Sequence, residues 1–220
     1  QTSPASYNNL SAGSYSWVVT DANGCTQSGS EVVSEPTALT SSDDHANVKC
    51  NGGSDGSVTV SFDGGTAPYT VSFNGGEAAA QTSPASYSNL SAGSYSWVVT
   101  DANGCIQTGS ETVDQPTALT SSDDHANVKC NGGSDGSVTV SFDGGTAPYT
   151  VSFNGGEAAA QTSPASYSNL SAGSYSWVVT DANGCIQTGS ETVDQPTALT
   201  SSDDHANVKC NGGSDGSVTV

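Results

Sequence analysis

The sequence contains no arginine and only three lysines, Lys49, Lys129 and Lys209, against 22 acidic residues, for a formal net charge of −19. Nucleic-acid phosphates are held by Lys and Arg, so this charge excludes a nucleic-acid partner. It disfavours an anionic membrane surface for the same reason. No apolar run is long enough to cross a bilayer, and no signal peptide opens the sequence, so membrane insertion of this segment is not expected. None of the six cysteines stands in a C-x-x-C pair, which argues against zinc and thioredoxin-like redox chemistry. No stretch shows a helical period with caps, so helices are not expected either.

What the sequence does contain is repetition. Gln1–Tyr7 (QTSPASY) returns at Gln81 and Gln161, and residues 81–140 equal 161–220 without a change. The first copy differs mildly at Asn8, Thr26, Ser28, Val32, Ser34 and Glu35. A fixed 80-residue register means one domain copied in tandem. The register starts inside one copy and stops inside another at Val220, as a window on a longer array would. Proline punctuates it at Pro36, Pro116 and Pro196, where the chain cannot donate to a sheet ladder and the preceding residue is extended. The expected organisation is a partial repeat at 1–36, complete repeats at 37–116 and 117–196, and the start of another at 197–220. No flexible linker separates the copies, so an extended, stiff rod of repeats is expected.

Within one copy the pattern is β throughout. Val58, Val60 and Phe62 alternate with small polar residues, as do Tyr69, Val71 and Phe73, and then Tyr95, Trp97 and Val99. Period two is the signature of a strand with one buried face. Gly64-Gly65, Asn74-Gly75-Gly76 and Asn103-Gly104 supply turns that need positive φ. Short strands and turns in a domain of this size point to an all-β, Ig-like β-sandwich, with Phe62, Tyr69, Phe73, Tyr95 and Trp97 in its core. Strands of roughly ten residues and a last strand from Ile106 to Val113 are expected. Leu90–Tyr95 looks like the tyrosine corner of Ig-like domains.

Two cysteines per period, in a small acidic domain with little apolar content, suggest a secreted, disulfide-stapled unit. Two pairings are sensible. Within a repeat, Cys50 would join Cys105 and Cys130 would join Cys185, leaving Cys25 and Cys210 to partners outside this sequence. Across the prolines, Cys25 would join Cys50, Cys105 would join Cys130, and Cys185 would join Cys210. Loop entropy does not choose, since it grows only slowly with loop length. Room for two short runs between Thr37 and Gly56, together with the habit of small secreted domains, favours the pairing within repeats.

Other candidate chemistry is thin. Asp43, Asp44 and Asp101, with His45, are candidates for calcium, although no loop has EF-hand spacing. No other cofactor is expected. His45, His125 and His205 each follow two aspartates, but no nucleophile elbow or oxyanion loop accompanies them, so an enzyme is not expected. Lys49 could in principle form an isopeptide bond, yet its context is not distinctive. Tyr87, outside any clean strand, is a candidate platform for a sugar ring. Asn89-Leu90-Ser91 is a formal glycosylation acceptor inside the corner motif.

Five motifs in order, Cys50-Asn-Gly-Gly-Ser-Asp-Gly-Ser-Val-Thr-Val, Gly64-Gly-Thr-Ala-Pro-Tyr, Leu90-Ser-Ala-Gly-Ser-Tyr, Thr100-Asp-Ala-Asn-Gly-Cys and Gln115-Pro116, resemble the SprB-type repeat of large surface adhesins of gliding Bacteroidota. The resemblance covers each repeat from end to end. It implies an extracellular Ig-like repeat in a long cell-surface filament, exported by the type IX secretion route. Phe73 departs from the tryptophan found before Asn-Gly in many related repeats. The function expected is a structural stalk, with neighbouring repeats of the same chain as partners and surface polysaccharide or substratum as the adhesive target. The alternatives are a carbohydrate-binding repeat acting through avidity and a self-assembling surface fibre.

Overall fold

The computed structural model describes residues 3–220, all of whose regular structure is β. It forms two compact units, one of residues 3–47 and 54–114, the other of 48–53 and 115–220.

The first unit begins with an antiparallel hairpin, β1 (Gly13–Thr20) and β2 (Thr26–Val33). Seven strands follow: β3 (Thr40–Ala46), β4 (Gly56–Asp63), β5 (Tyr69–Phe73), β6 (Ala79–Gln81), β7 (Ala85–Leu90), β8 (Gly93–Thr100) and β9 (Ile106–Val113). They make a three-stranded sheet in the order β3-β4-β7 and a four-stranded sheet in the order β6-β5-β8-β9. Every pairing is antiparallel. This is an Ig-like β-sandwich.

The second unit repeats the plan. Strands β10 (Thr120–Ala126), β11 (Gly136–Asp143) and β14 (Ala165–Leu170) form one sheet. Strands β13 (Ala159–Gln161), β12 (Tyr149–Phe153), β15 (Gly173–Thr180) and β16 (Ile186–Val193) form the other. The hairpin of β17 (Asp204–Ala206) and β18 (Ser217–Thr219) closes the chain.

The alternating stripes place the core. Along β4, buried Gly56, Val58, Val60 and Phe62 alternate with half-buried Ser57, Thr59 and Ser61. Leu39, Val71, Ala85, Trp97, Val99 and Val113 complete the buried apolar set of the first unit. The second has the equivalent cluster, Val138, Val140, Phe142, Val151, Ala165, Trp177, Val179 and Val193, joined by Val128. Each fully buried valine contributes on the order of 1.5–3 kcal/mol. The wholly enclosed side chains are valines; among the described aromatics only Phe62 and Trp97, with their copies Phe142 and Trp177, are buried.

Tyr69, Phe73 and Tyr95 differ from the expected core positions in being half-buried. Each tyrosine keeps its hydroxyl at the rim for a backbone partner: Tyr69 donates to Gly64 O at 2.7 Å and Tyr95 to Ser91 O at 2.9 Å. The second of these is the tyrosine corner, and it recurs at Tyr175–Ser171 and Tyr15–Ser11. Strands are shorter than the ten residues expected, with eight as the longest. The stretch between Thr37 and Gly56 holds one strand, β3, not two short runs. The chain spends the remainder on a turn in which Gly53 N donates to Cys50 O at 2.9 Å.

Candidate functional site

The cysteines sit in two kinds of turn. The first is the Asp-Ala-Asn-Gly-Cys hairpin between the last two strands of a sandwich. In the first unit, Asp101 is 5% exposed and its carboxylate organises the hairpin. Its Oδ1 accepts the amides of Asn103 (2.9 Å) and Cys105 (2.8 Å), and its Oδ2 accepts the amide of Thr66 (2.9 Å). Thr66 reaches Asp101 because Gly64 and Gly65 turn with φ of 74° and 64°. A Cβ on Gly65 would stand 2.8 Å from Asp101 Oδ2, so this turn needs glycine for both conformation and space. Burial pushes the Asp101 carboxyl up, but the amides of Cys105, Thr66 and Asn103 outweigh it and hold the group below the usual carboxylate value of 3.8.

That shift fixes a sign. The unfolded chain takes up a proton on Asp101 before the folded chain does, so the stabilisation is complete above the unfolded value and is lost as pH falls through the lower folded value. Thermal unfolding of the first unit should show a midpoint that drops below about pH 4. Asp101→Asn should be less stable at neutral pH and respond less to acid. A parallel acid response in wild type and variant would show that Asp101 is not the group responsible.

The second turn is Val-Lys-Cys-Asn-Gly-Gly. Segment Val48–Gly53 belongs to the second unit, where Asn51 Nδ2 donates to Pro116 O (3.0 Å) and Gly52 N to Gln115 Oε1 (2.7 Å). Here the turn meets the hairpin of the same unit. Asp181 organises that hairpin as Asp101 does its own, and Asn183 Nδ2 donates to Lys49 O at 3.0 Å. Cys50 and Cys185 are bonded, with Cα atoms 5.6 Å apart, within the range a disulfide spans without backbone movement.

This pairing corrects both expectations. Cys50 joins Cys185, not Cys105, and Cys130 does not join Cys185. Cys25, Cys105, Cys130 and Cys210 are exposed free thiols. The reason is positional: the turn carrying Cys50 is docked on Gln115 and Pro116, beside the hairpin that follows β15, while the Cys105 hairpin lies in the other unit.

The remaining candidates are dispersed. Asp43, Asp44 and His45 lie on β3, whereas Asp101 lies in the hairpin between β8 and β9, and no group of three or more His, Cys, Asp or Glu residues suited to a metal ion occurs among the described residues. Asp43 hydrogen-bonds with Glu111, which raises the Asp43 pKa and lowers that of Glu111, and His45 Nδ1 lies 3.5 Å from Glu111 Oε2. The same arrangement recurs at Asp123, Glu191 and His125. No sequence motif marks Glu111 as a partner of Asp43 and His45; the partnership arises because β3 and β9 approach each other in the fold. Tyr87 lies in β7 and stacks on Phe73 with ring centroids 3.7 Å apart, so one of its faces is used in packing. Lys129, the copy of Lys49, is exposed and pairs with Asp135 at 3.7 Å, an ordinary surface ion pair.

Comparison with known proteins matches the SprB repeat family to residues 42–78 and 122–158. Two segments of the chain thus match the SprB repeat. Each match covers β3 to β5 or their copies, including one Lys-Cys-Asn-Gly-Gly turn, and ends before the Asp-Ala-Asn-Gly-Cys hairpin. No curated protein matches the chain. Similar solved structures include the N-terminal eight Ig domains of Down syndrome cell adhesion molecule, at 16% identity, 83% of this chain, 26% of that one and a TM-score of 0.41. Another is an amphioxus IgVJ-C2 molecule, at 14% identity, 60% of this chain, 91% of that one and a TM-score of 0.28. The chain thus spans about a quarter of the first of these structures.

Proposed function

We propose that these SprB repeats form a load-bearing segment of an extracellular surface adhesin, supplying length and resistance to extension. The observation that carries this reading is the Cys50–Cys185 bond. A pull on the two ends of the chain passes from Cys50 through the sulfurs to Cys185, so residues 51–184 lie off the load path. The acidic surface suits an extracellular filament, since like charge keeps neighbouring filaments from associating.

Single-molecule stretching tests the reading. Reduction should release the bypassed residues and lengthen the fully extended chain by about 450 Å at roughly 3.4 Å per residue. Equal contour lengths with and without reductant would sink it.

A further inference from the structure

The bonded and free cysteines occupy the same two local structures. Around free Cys130, Asn131 Nδ2 donates to Pro196 O at 3.0 Å and Gly132 N to Gln195 Oε1 at 2.7 Å. These are the bonds that hold the turn of Cys50. Around free Cys105, the carboxylate of Asp101 holds the same hairpin that Asp181 holds around Cys185. Asn103 Nδ2 donates to Thr66 Oγ1 as Asn183 Nδ2 does to Thr146 Oγ1. The bonded hairpin adds one contact, from Asn183 to Lys49 O. Both halves of the bonded site are therefore built in advance, whether or not their cysteine is oxidised.

The sequence separation of the bonded pair is 135. Stepping that distance forward from Cys130 or Cys210, or backward from Cys25 or Cys105, leads in every case beyond the 220 residues present. The four free thiols are thus the four cysteines for which this rule has no partner here. By contrast, pairing within a repeat would have given partners to two of them, Cys105 and Cys130, and pairing across adjacent prolines to all four.

We propose that the bond is one rung of a ladder. In a longer array of these repeats, every cysteine of the Lys-Cys-Asn-Gly-Gly turn bonds the Asp-Ala-Asn-Gly-Cys cysteine of the following repeat. The 135-residue span exceeds the 80-residue period, so each closed loop overlaps the next along the stretch equivalent to Cys130–Cys185. Staples arranged this way interlock along the chain. Each rung forms when two thiols lose two protons and two electrons to a disulfide oxidant, which leaves as two thiols. The proposal rests on the observed bond and its repeated surroundings, not on the adhesin reading.

The test lengthens this chain by one further 80-residue period after Val220 and oxidises it with glutathione disulfide. Thiols are then alkylated in denaturant and counted by intact mass. The present chain should show four free thiols. The lengthened chain, with two more cysteines, should also show four, because it gains one rung. Cys130→Ser in the lengthened chain should raise the count to five, and Cys105→Ser should lower it to three. Six free thiols in the lengthened chain would mean no second rung. Two, or none, would mean pairing within repeats or across adjacent prolines. A disulfide-linked dimer would mean that the second bond joins separate chains. Any of these overturns the ladder, while force measurements on the present chain remain unaffected.

Discussion

Gly109→Val should unfold the first sandwich at ambient temperature, and Gly109→Ala should destabilise it severely. Gly109 lies in β9 directly opposite Trp97 of β8, and the indole, only 3% exposed, covers it. A Cβ at Gly109 would stand 2.7 Å from Trp97 Cε2, with Cζ2 closer still. The side chain met is a rigid ring packed into the core, so it has no flexible end to move aside. Overpacking a core usually costs about 1–3 kcal/mol. Expelling the tryptophan instead forfeits burial worth about 3–5 kcal/mol. Either amount is a large part of the 5–15 kcal/mol that holds a domain of this size.

Gly104 provides the contrast. Its φ is 82°, and a Cβ there would meet nothing within 4 Å. Gly104→Ala should therefore cost only the left-handed backbone penalty, about 1–2 kcal/mol. Denaturant unfolding followed by tryptophan fluorescence separates the two cases. Equal losses at Gly104 and Gly109 would refute the steric account. Gly189 opposite Trp177 and Gly29 opposite Trp17 repeat the arrangement, so the second sandwich should fail in the same way on Gly189→Val.

Gly109 also shows what the sequence could and could not disclose. The stripe of Val58, Val60 and Phe62, the limits Ile106–Val113 and the Leu90–Tyr95 corner were legible because they depend on neighbours along the chain. Strand β7 was not, because its six residues ASYSNL hold two serines and an asparagine. It becomes a strand through pairing with β4, a partner 27 residues away where Thr59 faces Ser86. The role of Tyr87 was hidden with it, since the stacking on Phe73 joins the two sheets. From the sequence alone Asp101 is a candidate for calcium. Its hydrogen bonding depends on Thr66, which the Gly64-Gly65 turn delivers from the connection between β4 and β5. The disulfide was misread for a related reason. Spacing counts residues along one repeat, whereas Val48–Gly53 docks on Gln115 and Pro116.

Replacing both partners of the bond, Cys50→Ser with Cys185→Ser, should destabilise the second unit by about 3–5 kcal/mol, the amount expected for closing so long a loop. Cys105→Ser should leave stability unchanged, because Cys105 is an exposed thiol. The contrast discriminates sharply: were Cys50 bonded to Cys105, the single replacement would be as damaging as the double one. Reductant adds an independent arm. It should lower the midpoint of wild type and Cys105→Ser by the same amount and leave the double variant where it was. Part of the effect should persist as altered local order, since Asn183 would still reach Lys49 O and Asn51 would still reach Pro116 O in the absence of the sulfurs. Hydrogen exchange of the Gly52 amide, held by Gln115 at 2.7 Å, reports on that remainder. Protection retained in the double variant means the turn is docked by its own hydrogen bonds and the disulfide locks a contact already made. Protection lost means the bond itself brings Val48–Gly53 into the second unit.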